Sequence, residues 1–327
     1  SGDIGEGLQV AGAARERARD RRLTTWERRL SVGIGGLHWH SGELGTALDE
    51  CRALIDEIGP RGRFGVWTSQ VFADVGRHEE SVAIARQVVA EALPTWQSLG
   101  EALWALCDAE LAAGNPRRAI AAADELRDRF GNQGPTVFAQ ITRAWARHDL
   151  GLEPDGEPFV ATQPIVEGAP AELRGVTLLS RGDAAGAAAR FAEAAALWRG
   201  RHFRGHLRCR WAEGEAVRRS GDASAAVAAL EQAEAVAVAH GEVSTLRRIR
   251  RSLRLAGARR SADRGAAGNV TLREREVLEL VADGLSNSEI ARRLGVGRST
   301  VERLLQSASR KLGARTRGQA AALFARE

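Results

Sequence analysis

The side chains best suited to chemistry lie on a short stretch near the C-terminus. Apolar residues recur there at offsets of 3, 4, 7 and 11, which form one stripe of a helix over about 298–312. The stripe comprises Val301, Leu304, Leu305, Ala308 and Leu312. The opposite side carries Arg298, Glu302, Arg303, Gln306 and Arg310. Such a helix can anchor one face on neighbouring helices and offer the other, with groups that match base edges, to a DNA major groove.

Helix-start signals place three further helices around this one. In a capping box, a Ser or Thr and the Glu or Gln three residues later cap each other's backbone N–H groups. The pairs are Thr271 with Glu274, Ser286 with Glu289, and Thr316 with Gln319. They predict helices over about 272–283, 287–294 and 317–325. Gly297 is the predicted N-cap of the 298–312 helix.

This stretch closely resembles the LuxR-type helix-turn-helix domain. The motifs that carry the resemblance are T-x-R-E-R-E-V-L at 271–278, G-x-S-N-x-E-I-A at 284–291, T-V at 300–301 and K-L-G at 311–313. The chain departs from the family at three positions, where Gly297 replaces a Ser, Leu304 a His and Glu302 a basic residue. The resemblance spans residues 270–327 and implies a four-helix domain that binds double-stranded DNA.

The resemblance also implies roles for individual positions. The family's base-facing positions match Glu302, Arg303 and Gln306, which suit cytosine, guanine and adenine respectively. The residues placed for phosphate contacts, which add affinity without sequence information, are Arg298, Thr300, Arg310, Lys311 and Arg317. A dimer face on the fourth helix would comprise Ala320, Ala321, Leu323 and Phe324. Alternatively, Leu323 and Phe324 close the domain's own core, and Arg310 and Arg317 are only solvated surface.

A glycine recurs ahead of this domain between stretches that suit helices. It stands, with spacings of 34, 38, 68 and 39, at Gly42, Gly76, Gly114, Gly182 and Gly221. The residues seven before and five after it are small in every copy, and those nine and twelve after it are apolar. A turn glycine, small residues where two helices approach and one apolar face together predict helical hairpins that stack on one another.

The repeat resembles the tetratricopeptide repeat, or TPR, over residues 31–255. Prolines interrupt one unit and predict a loop or an irregular insertion at 151–170. They are Pro154, Pro158, Pro164 and Pro170. The resemblance implies a superhelix whose concave surface binds a peptide, a protein or a small ligand. All eight tryptophans lie between residues 26 and 211, and we expect most in the core and one or two at a binding groove.

Charge is unevenly distributed along the chain, which has 47 basic and 42 acidic residues and a net charge of +5. Residues 246–327 hold 19 basic and eight acidic residues, a net charge of +11. A basic end on a slightly acidic body favours nucleic-acid binding, although charge alone suits a solvated arginine-rich surface equally well. We divide the chain into an N-terminal helical segment (1–30), a repeat domain (31–255), a flexible basic linker (256–269) and a DNA-binding domain (270–327).

Other chemistries have little support in the sequence. Lys311 is the only lysine and Leu312 follows it, so the chain contains no phosphate-binding loop of the ATPase type. His202 and His206 have the i, i+4 spacing of zinc ligands, but no third ligand with suitable spacing is apparent. We expect no catalytic residue, no metal and no cofactor. The chain has no Met, so we expect a fragment of a longer or processed protein, whose remainder could carry an ATPase domain.

The sequence therefore predicts an all-α cytoplasmic protein with no membrane segment, in which a TPR-like superhelix of helical hairpins precedes a four-helix LuxR-type domain. In this interpretation, a small-molecule or protein effector on the superhelix brings two DNA-binding domains onto adjacent half-sites of promoter DNA as a homodimer. The alternative is a TPR-type protein-interaction scaffold whose helix-turn-helix binds DNA weakly or not at all, which Glu302 and Leu304 favour. The hypothesis that the chain is an enzyme has the least support.

Overall fold

The chain folds into helices throughout its described part. A computed structural model describes residues 4–131, 136–154, 164–257, 272–282, 285–294, 296–312, 314 and 319–320. Two compact units make up the chain, Ser1–Ala258 and Arg259–Glu327. The described ranges contain no strand, and the predicted all-α class is confirmed. None of the helices in these ranges is long and apolar enough to cross a membrane.

Thirteen α-helices form the described part of the first unit, and most helices that are neighbours in sequence pack against each other. A π-helical turn at Trp96–Gly100 precedes α6 and a 3-10 turn at Pro164–Val166 precedes α9. The helices are α1 (Ile4–Asp20), α2 (Thr24–Ser41), α3 (Leu44–Ile58), α4 (Gly62–Asp74), α5 (His78–Glu91), α6 (Glu101–Ala112), α7 (Pro116–Phe130), α8 (Thr136–Asp149), α9 (Ala169–Ser180), α10 (Ala184–Trp198), α11 (Phe203–Arg219), α12 (Ala223–Ala239) and α13 (Ser244–Leu255).

The hairpins turn at the predicted glycines. All five repeat glycines have a positive φ, between 82° and 100°, which is left-handed backbone that glycine adopts without steric cost. At the first of them, the Gly42 N–H bonds to the Trp39 carbonyl at 3.2 Å and the Glu43 N–H bonds to the His38 carbonyl at 2.9 Å. This pair of bonds ends α2 as a Schellman cap. The predicted turn role of the repeat glycines is confirmed.

Small residues let the two helices of a hairpin approach closely. Ser69 on α4 and Ser81 on α5 stand seven before and five after a repeat glycine, and each hydroxyl donates to the other's backbone carbonyl, at 3.1 and 2.7 Å. In another hairpin, a Cβ added to Gly175 would lie 2.6 Å from the Phe191 ring. The ten apolar residues nine and twelve positions after the glycines are all buried. The predicted packing face is therefore confirmed.

The proline-rich stretch interrupts the alternation of hairpins. α8 and α9 follow each other among the described helices and pack directly together. Residues 152–154 are non-helical and Pro164 begins the 3-10 turn, as predicted for an irregular insertion. Pro170 lies in the first turn of α9, where its missing N–H removes no helical hydrogen bond. Residues 155–163, with Pro158, lie outside the described part.

The last hairpins of the first unit contact the first ones. Phe203 at the start of α11 covers Gly42, where an added Cβ would lie 2.5 Å from the ring. His240 Nδ1 lies 2.8 Å from the carbonyl oxygen of Gly42. Just before α13, the Val243 N–H donates to the Asp74 carbonyl at 2.7 Å. The array therefore closes on itself, and side chains occupy its inner face.

The second unit contains three helices in its described part. They are α14 (Leu272–Ala282), α15 (Asn287–Leu294) and α16 (Arg298–Lys311). Buried apolar side chains from all three form one core, in which Val277, Ile290 and Val301 are fully buried. Gln319 and Ala320 are helical, and the rest of the predicted fourth helix lies outside the described residues, as do residues 258–269 of the predicted linker.

Helix caps in the second unit follow the sequence signals. The Ser286 N–H donates to Glu289 Oε2 at 2.7 Å, and the Glu289 N–H donates to Ser286 Oγ at 3.4 Å. This capping box is confirmed as the start of α15. Gly297 is the N-cap of α16, with extended backbone and no side-chain cap. Thr271 and Thr316, which begin the other two predicted boxes, lie outside the described residues.

Candidate nucleic-acid interface and the interior of the helical array

Aromatic side chains fill the centre of the array. The rings of Trp39, Trp67 and Trp104 lie within contact distance of one another, with centroids 5.3 to 6.3 Å apart. Phe138 stacks on both Trp104 and His202, at 5.2 and 5.0 Å. The prediction that most tryptophans lie in the core is confirmed, and the buried ones are Trp39, Trp104, Trp145, Trp198 and Trp211.

Arg204 of α11 is the centre of a buried polar network that joins several helices. Its Nε lies 2.9 and 3.1 Å from the two carboxylate oxygens of Asp74, and its Nη1 lies 2.8 Å from Asp108 Oδ2. The guanidinium also donates to the side chain and the carbonyl of Gln70. The Cζ atom of Arg204 lies 4.8 Å from the centre of the Trp39 ring, and the Trp39 indole N–H donates to Asp74 at 2.7 Å. These partners offset the free-energy cost of burying the charges.

A second buried ion pair lies one helical turn further along α11. Arg208 donates to both oxygens of Glu172, at 2.5 and 2.9 Å. The same carboxylate accepts the indole N–H groups of Trp145 and Trp198, each at 2.9 Å. Glu172 has no exposed surface. Four donors thus satisfy a fully buried carboxylate, which fixes α8, α9, α10 and α11 relative to one another.

A cavity of about 100 Å³ lies beside these networks. Charged groups of both networks line it, including Asp74, Arg204 and Arg208, and Trp145 and Trp211 form apolar walls. Two tryptophans thus line a cavity, and the expectation that one or two lie at a binding groove stays a prediction.

Glu242, which also lines this cavity, is a buried acid just before α13. Burial and then the negative charge of Asp74 raise the pKa of Glu242 to about 8. Its carboxyl oxygens accept the N–H groups of Thr245 and Leu246. A carboxyl with such a pKa is largely protonated at pH 7, which removes one negative charge from a crowded acidic site.

The two histidines considered as zinc ligands have other partners. His202 caps α11, because its Nδ1 accepts the Gly205 N–H at 2.9 Å. His206 Nδ1 lies 2.8 Å from the Ala195 carbonyl oxygen. Burial lowers the pKa of both imidazoles. Within the described residues, no group of three or more His, Cys, Asp or Glu is placed to hold a metal ion.

α16 has two chemically different faces. Val301, Leu305 and Ala308 are buried in the core of the second unit, and Leu304 and Leu312 pack against that core. The predicted apolar stripe is confirmed. The exposed side of the helix carries Arg298, Glu302, Arg303, Gln306 and Arg310. The three residues predicted to read bases thus lie together on the solvent-facing side of α16, within two helical turns.

The residues predicted to contact phosphates have varied surroundings. Thr300 is half-buried, and Arg298 Nε donates to Glu302 Oε1 one turn later at 2.9 Å. Lys311 Nζ donates to Glu274 Oε2 at 2.7 Å, and Glu274 is buried. The sequence did not predict this pair, because its pattern assigned Glu274 only to a capping box with Thr271. Arg317 lies outside the described residues.

The predicted dimer face is described at one position. Ala320 is fully buried in the core of the second unit, beside residues of α14, α15 and α16. The other three residues, Ala321, Leu323 and Phe324, lie outside the described part of the chain.

The buried networks of the first unit were not recognised in the sequence. One signal was present, because Gln70, Asp108 and Glu215 occupy the same position, six residues before a repeat glycine. Each lies on the first helix of its hairpin and each bonds an arginine. A recurrent polar residue amid apolar positions predicts an inward-facing partner for a charge.

Comparison with known families identifies the second unit. Residues 269–324 match the family model described as "Bacterial regulatory proteins, luxR family". No curated protein matches the chain. The match agrees with the three described helices, the confirmed capping box at Ser286 and the amphipathic α16. Residues 269–324 are therefore a LuxR-family helix-turn-helix domain.

Proposed function

We propose that the chain is a transcription regulator that reads promoter DNA with α16 and is controlled by an effector or partner on its helical array. The single observation that carries the proposal is the division of α16 into a buried apolar stripe and an exposed face with Glu302, Arg303 and Gln306. A helix held in this way can enter the major groove without unfolding the domain.

Individual contacts follow from the chemistry of the exposed face. Arg303 can bond the O6 and N7 of guanine, Gln306 the N6 and N7 of adenine, and Glu302 the amino group of cytosine. Arg298, Thr300, Arg310 and Arg317 would contact phosphates, which supply most of the affinity. For Lys311, the bond to Glu274 favours a role in holding α14 against α16, and a phosphate contact would compete with it.

Control by the array would work through assembly on DNA. Arg204 joins α11 to α4 and α6 in the closed first unit, so a ligand in a cavity beside that network would favour one arrangement of the hairpins. Two chains on adjacent half-sites would double the contacts with DNA and convert assembly into affinity. In this proposal the dimer forms through the fourth helix, as the resemblance implies, but without Ala320, which is buried in the core of the second unit.

Fluorescence anisotropy of the chain with a pool of promoter fragments tests this function. The variant to compare is Arg303→Ala with Gln306→Ala. Its matched control is Arg52→Ala with Gln87→Ala, which removes one exposed arginine and one exposed glutamine from the first unit. A salt series reports the number of phosphate contacts, because each contact changes the slope of log K against log salt by about 0.9.

We expect one fragment to bind well above the pool, the α16 variant to lose that preference, and the control to keep it. Each lost base contact should weaken the preferred fragment by about 1–3 kcal/mol. Weak and uniform binding that the α16 variant does not alter would contradict the proposal. The array would then be left with the role of a protein-interaction scaffold.

A further inference from the structure

A second cavity of the first unit, with a volume of about 340 Å³, lies between α8, α11 and α13, and four of its ten lining residues are arginines. Its charged walls are Arg218, Arg219, Arg248, Arg251, Asp149 and Glu215. Pockets that hold small molecules have volumes of about 300–1,000 Å³, so this one is large enough for a metabolite.

The charges in this arginine pocket do not balance. Asp149 accepts from both Nη atoms of Arg248. Glu215 accepts from Arg218 at 2.7 and 2.9 Å and from Arg219 at 2.9 Å. Four guanidinium groups therefore face two carboxylates, which leaves a net charge of +2.

The Glu215 carboxylate is held in its charged form. Burial of Glu215 opposes this, but hydrogen bonds from Arg218, Arg219 and Ser252 lower the pKa of its carboxyl to about 2. His148, also in the wall, adds no positive charge at pH 7, because burial and then the charge of Arg219 lower its pKa. The excess of +2 therefore persists across the neutral pH range.

Arg251 supplies part of this excess. It is exposed on α13 and makes no ion pair with any residue in the described part of the chain. Arg218 and Arg219 share one carboxylate, and Arg219 Nη2 also lies 3.4 Å from His148 Nε2, which leaves the Nη1 groups of both arginines available to a ligand. Guanidinium groups bond phosphate oxygens in pairs, and a phosphate monoester carries about 1.5 to 2 negative charges at pH 7, which matches the charge of the pocket.

One side of the pocket is apolar. Trp211 lines it with its buried ring, over which the Arg248 guanidinium lies at 5.1 Å, and its N–H is bonded to Ser252 Oγ at 3.1 Å. Leu255 adds an exposed apolar side chain. An inorganic anion would leave this side unused, whereas the organic part of a phosphate monoester would cover it.

We propose that the arginine pocket binds a small organic phosphate, with the phosphate on Arg218, Arg219 and Arg251 and the organic group against the exposed Leu255. Four of the lining residues belong to α13, the last described helix before the LuxR-family domain in the sequence. A bound ligand would hold the end of α13 against α8 and α11. The role of this ligand rests on the proposed function: in a regulator of that kind, the organic phosphate is the effector.

Isothermal titration of the full chain with phenyl phosphate, inorganic phosphate and phenol tests the site, in the absence of DNA and at about 50 mM salt, where charge interactions are weakly screened. We expect saturable binding of phenyl phosphate, about tenfold weaker binding of inorganic phosphate, and no binding of phenol. Arg251→Gln should weaken phenyl phosphate about tenfold. Arg129→Gln, which alters an exposed arginine of α7, should bind like the wild type.

Several results would overturn the site. They are a lack of saturable phenyl phosphate binding, equal affinity for inorganic phosphate, and unchanged binding by both Arg251→Gln and Arg218→Gln. In a separate competition experiment on the Arg303→Ala, Gln306→Ala variant, displacement of bound phenyl phosphate by duplex DNA would show instead that the pocket is a second DNA contact. Because the titration contains no DNA, its failure leaves the DNA-binding proposal intact, and loss of promoter binding leaves the pocket intact.

Discussion

Arg204 and Asp74, which are 130 residues apart in the sequence, form a buried two-point ion pair. Arg204 Nη2 lies 2.8 Å from Asp74 Oδ1, and Nε lies 3.1 Å from Oδ2. Asp74 also receives the Trp39 indole N–H, and its backbone carbonyl receives the N–H of Val243. One residue of α4 therefore holds helices from both ends of the array, which makes the closed form of the first unit depend on it.

Removal of the Arg204 side chain should destabilise the first unit strongly. Arg204→Ala leaves the Asp74 carboxylate buried without its cation, and such losses cost about 3–5 kcal/mol. Urea unfolding followed by tryptophan fluorescence measures the change. The control is Arg190→Ala, whose exposed pair with Glu193 contributes less than about 1 kcal/mol. Equal effects of the two substitutions would show that the network does not support the closure.

Two repeat glycines with the same backbone should differ in their tolerance of alanine. Gly42 and Gly114 have φ values of 88° and 82°, so alanine is strained at both, by about 1–2 kcal/mol. At Gly42 the Cβ would also lie 2.5 Å from the Phe203 ring, whereas nothing lies within 4 Å at Gly114. Gly42→Ala should therefore cost about 1–3 kcal/mol more than Gly114→Ala in urea unfolding. A larger cost for Gly114→Ala would contradict the observed closure.

Glu242 should make the stability of the first unit fall as pH rises. Its pKa is about 8 in the folded state against an ordinary value of 4.5, so the native state binds more protons between these values. Stability from the neutral carboxyl is then complete below about pH 4.5 and is lost as pH rises towards 8.

The difference in unfolding midpoint between wild type and Glu242→Gln, measured from pH 5 to 8, isolates this effect. The variant keeps an uncharged side chain at every pH, so we expect its midpoint to rise relative to wild type as pH increases. Midpoints that change in parallel would show that Glu242 titrates normally.

Lys311 and Arg310 are neighbours that should act differently. Lys311→Met should lower the stability of the second unit by roughly 1–3 kcal/mol, because the buried Glu274 loses a charged donor. Arg310→Met removes an exposed side chain and should leave stability unchanged while reducing the salt slope of DNA binding by about 0.9. Thermal unfolding and anisotropy separate the two effects. The ion pair would be contradicted if Arg310→Met lowered stability while Lys311→Met left stability unchanged and reduced only the salt slope.

The repeat pattern was sufficient to predict how one hairpin packs but not how the array closes. The offsets around the repeat glycines predicted the contact between Ser69 and Ser81, because these residues lie 12 positions apart on helices joined by one turn. The contact between His240 and Gly42 spans 198 residues. It depends on the rotation accumulated over all intervening hairpins, including the proline-rich stretch, and no local spacing encodes that sum.

The same distinction holds in the DNA-binding domain. The capping box at Ser286 and the stripe of α16 are local patterns, and both were predicted correctly. The bond between Lys311 and Glu274 spans 37 residues and joins two helices whose crossing sets the distance. Charged residues near a predicted DNA surface are assigned to phosphates by default, so a buried acid on a neighbouring helix escapes notice.

Selection of sequences from a randomised duplex pool by the full chain, followed by sequencing, tests the central claim most directly. We expect an enriched motif with two half-sites separated by about 10 base pairs. Arg303→Ala should relax one guanine in each half-site and Gln306→Ala one adenine, while Arg52→Ala should select the wild-type motif. A pool that stays random after selection by the wild-type chain would contradict base reading by α16, as would an unchanged motif from both α16 variants.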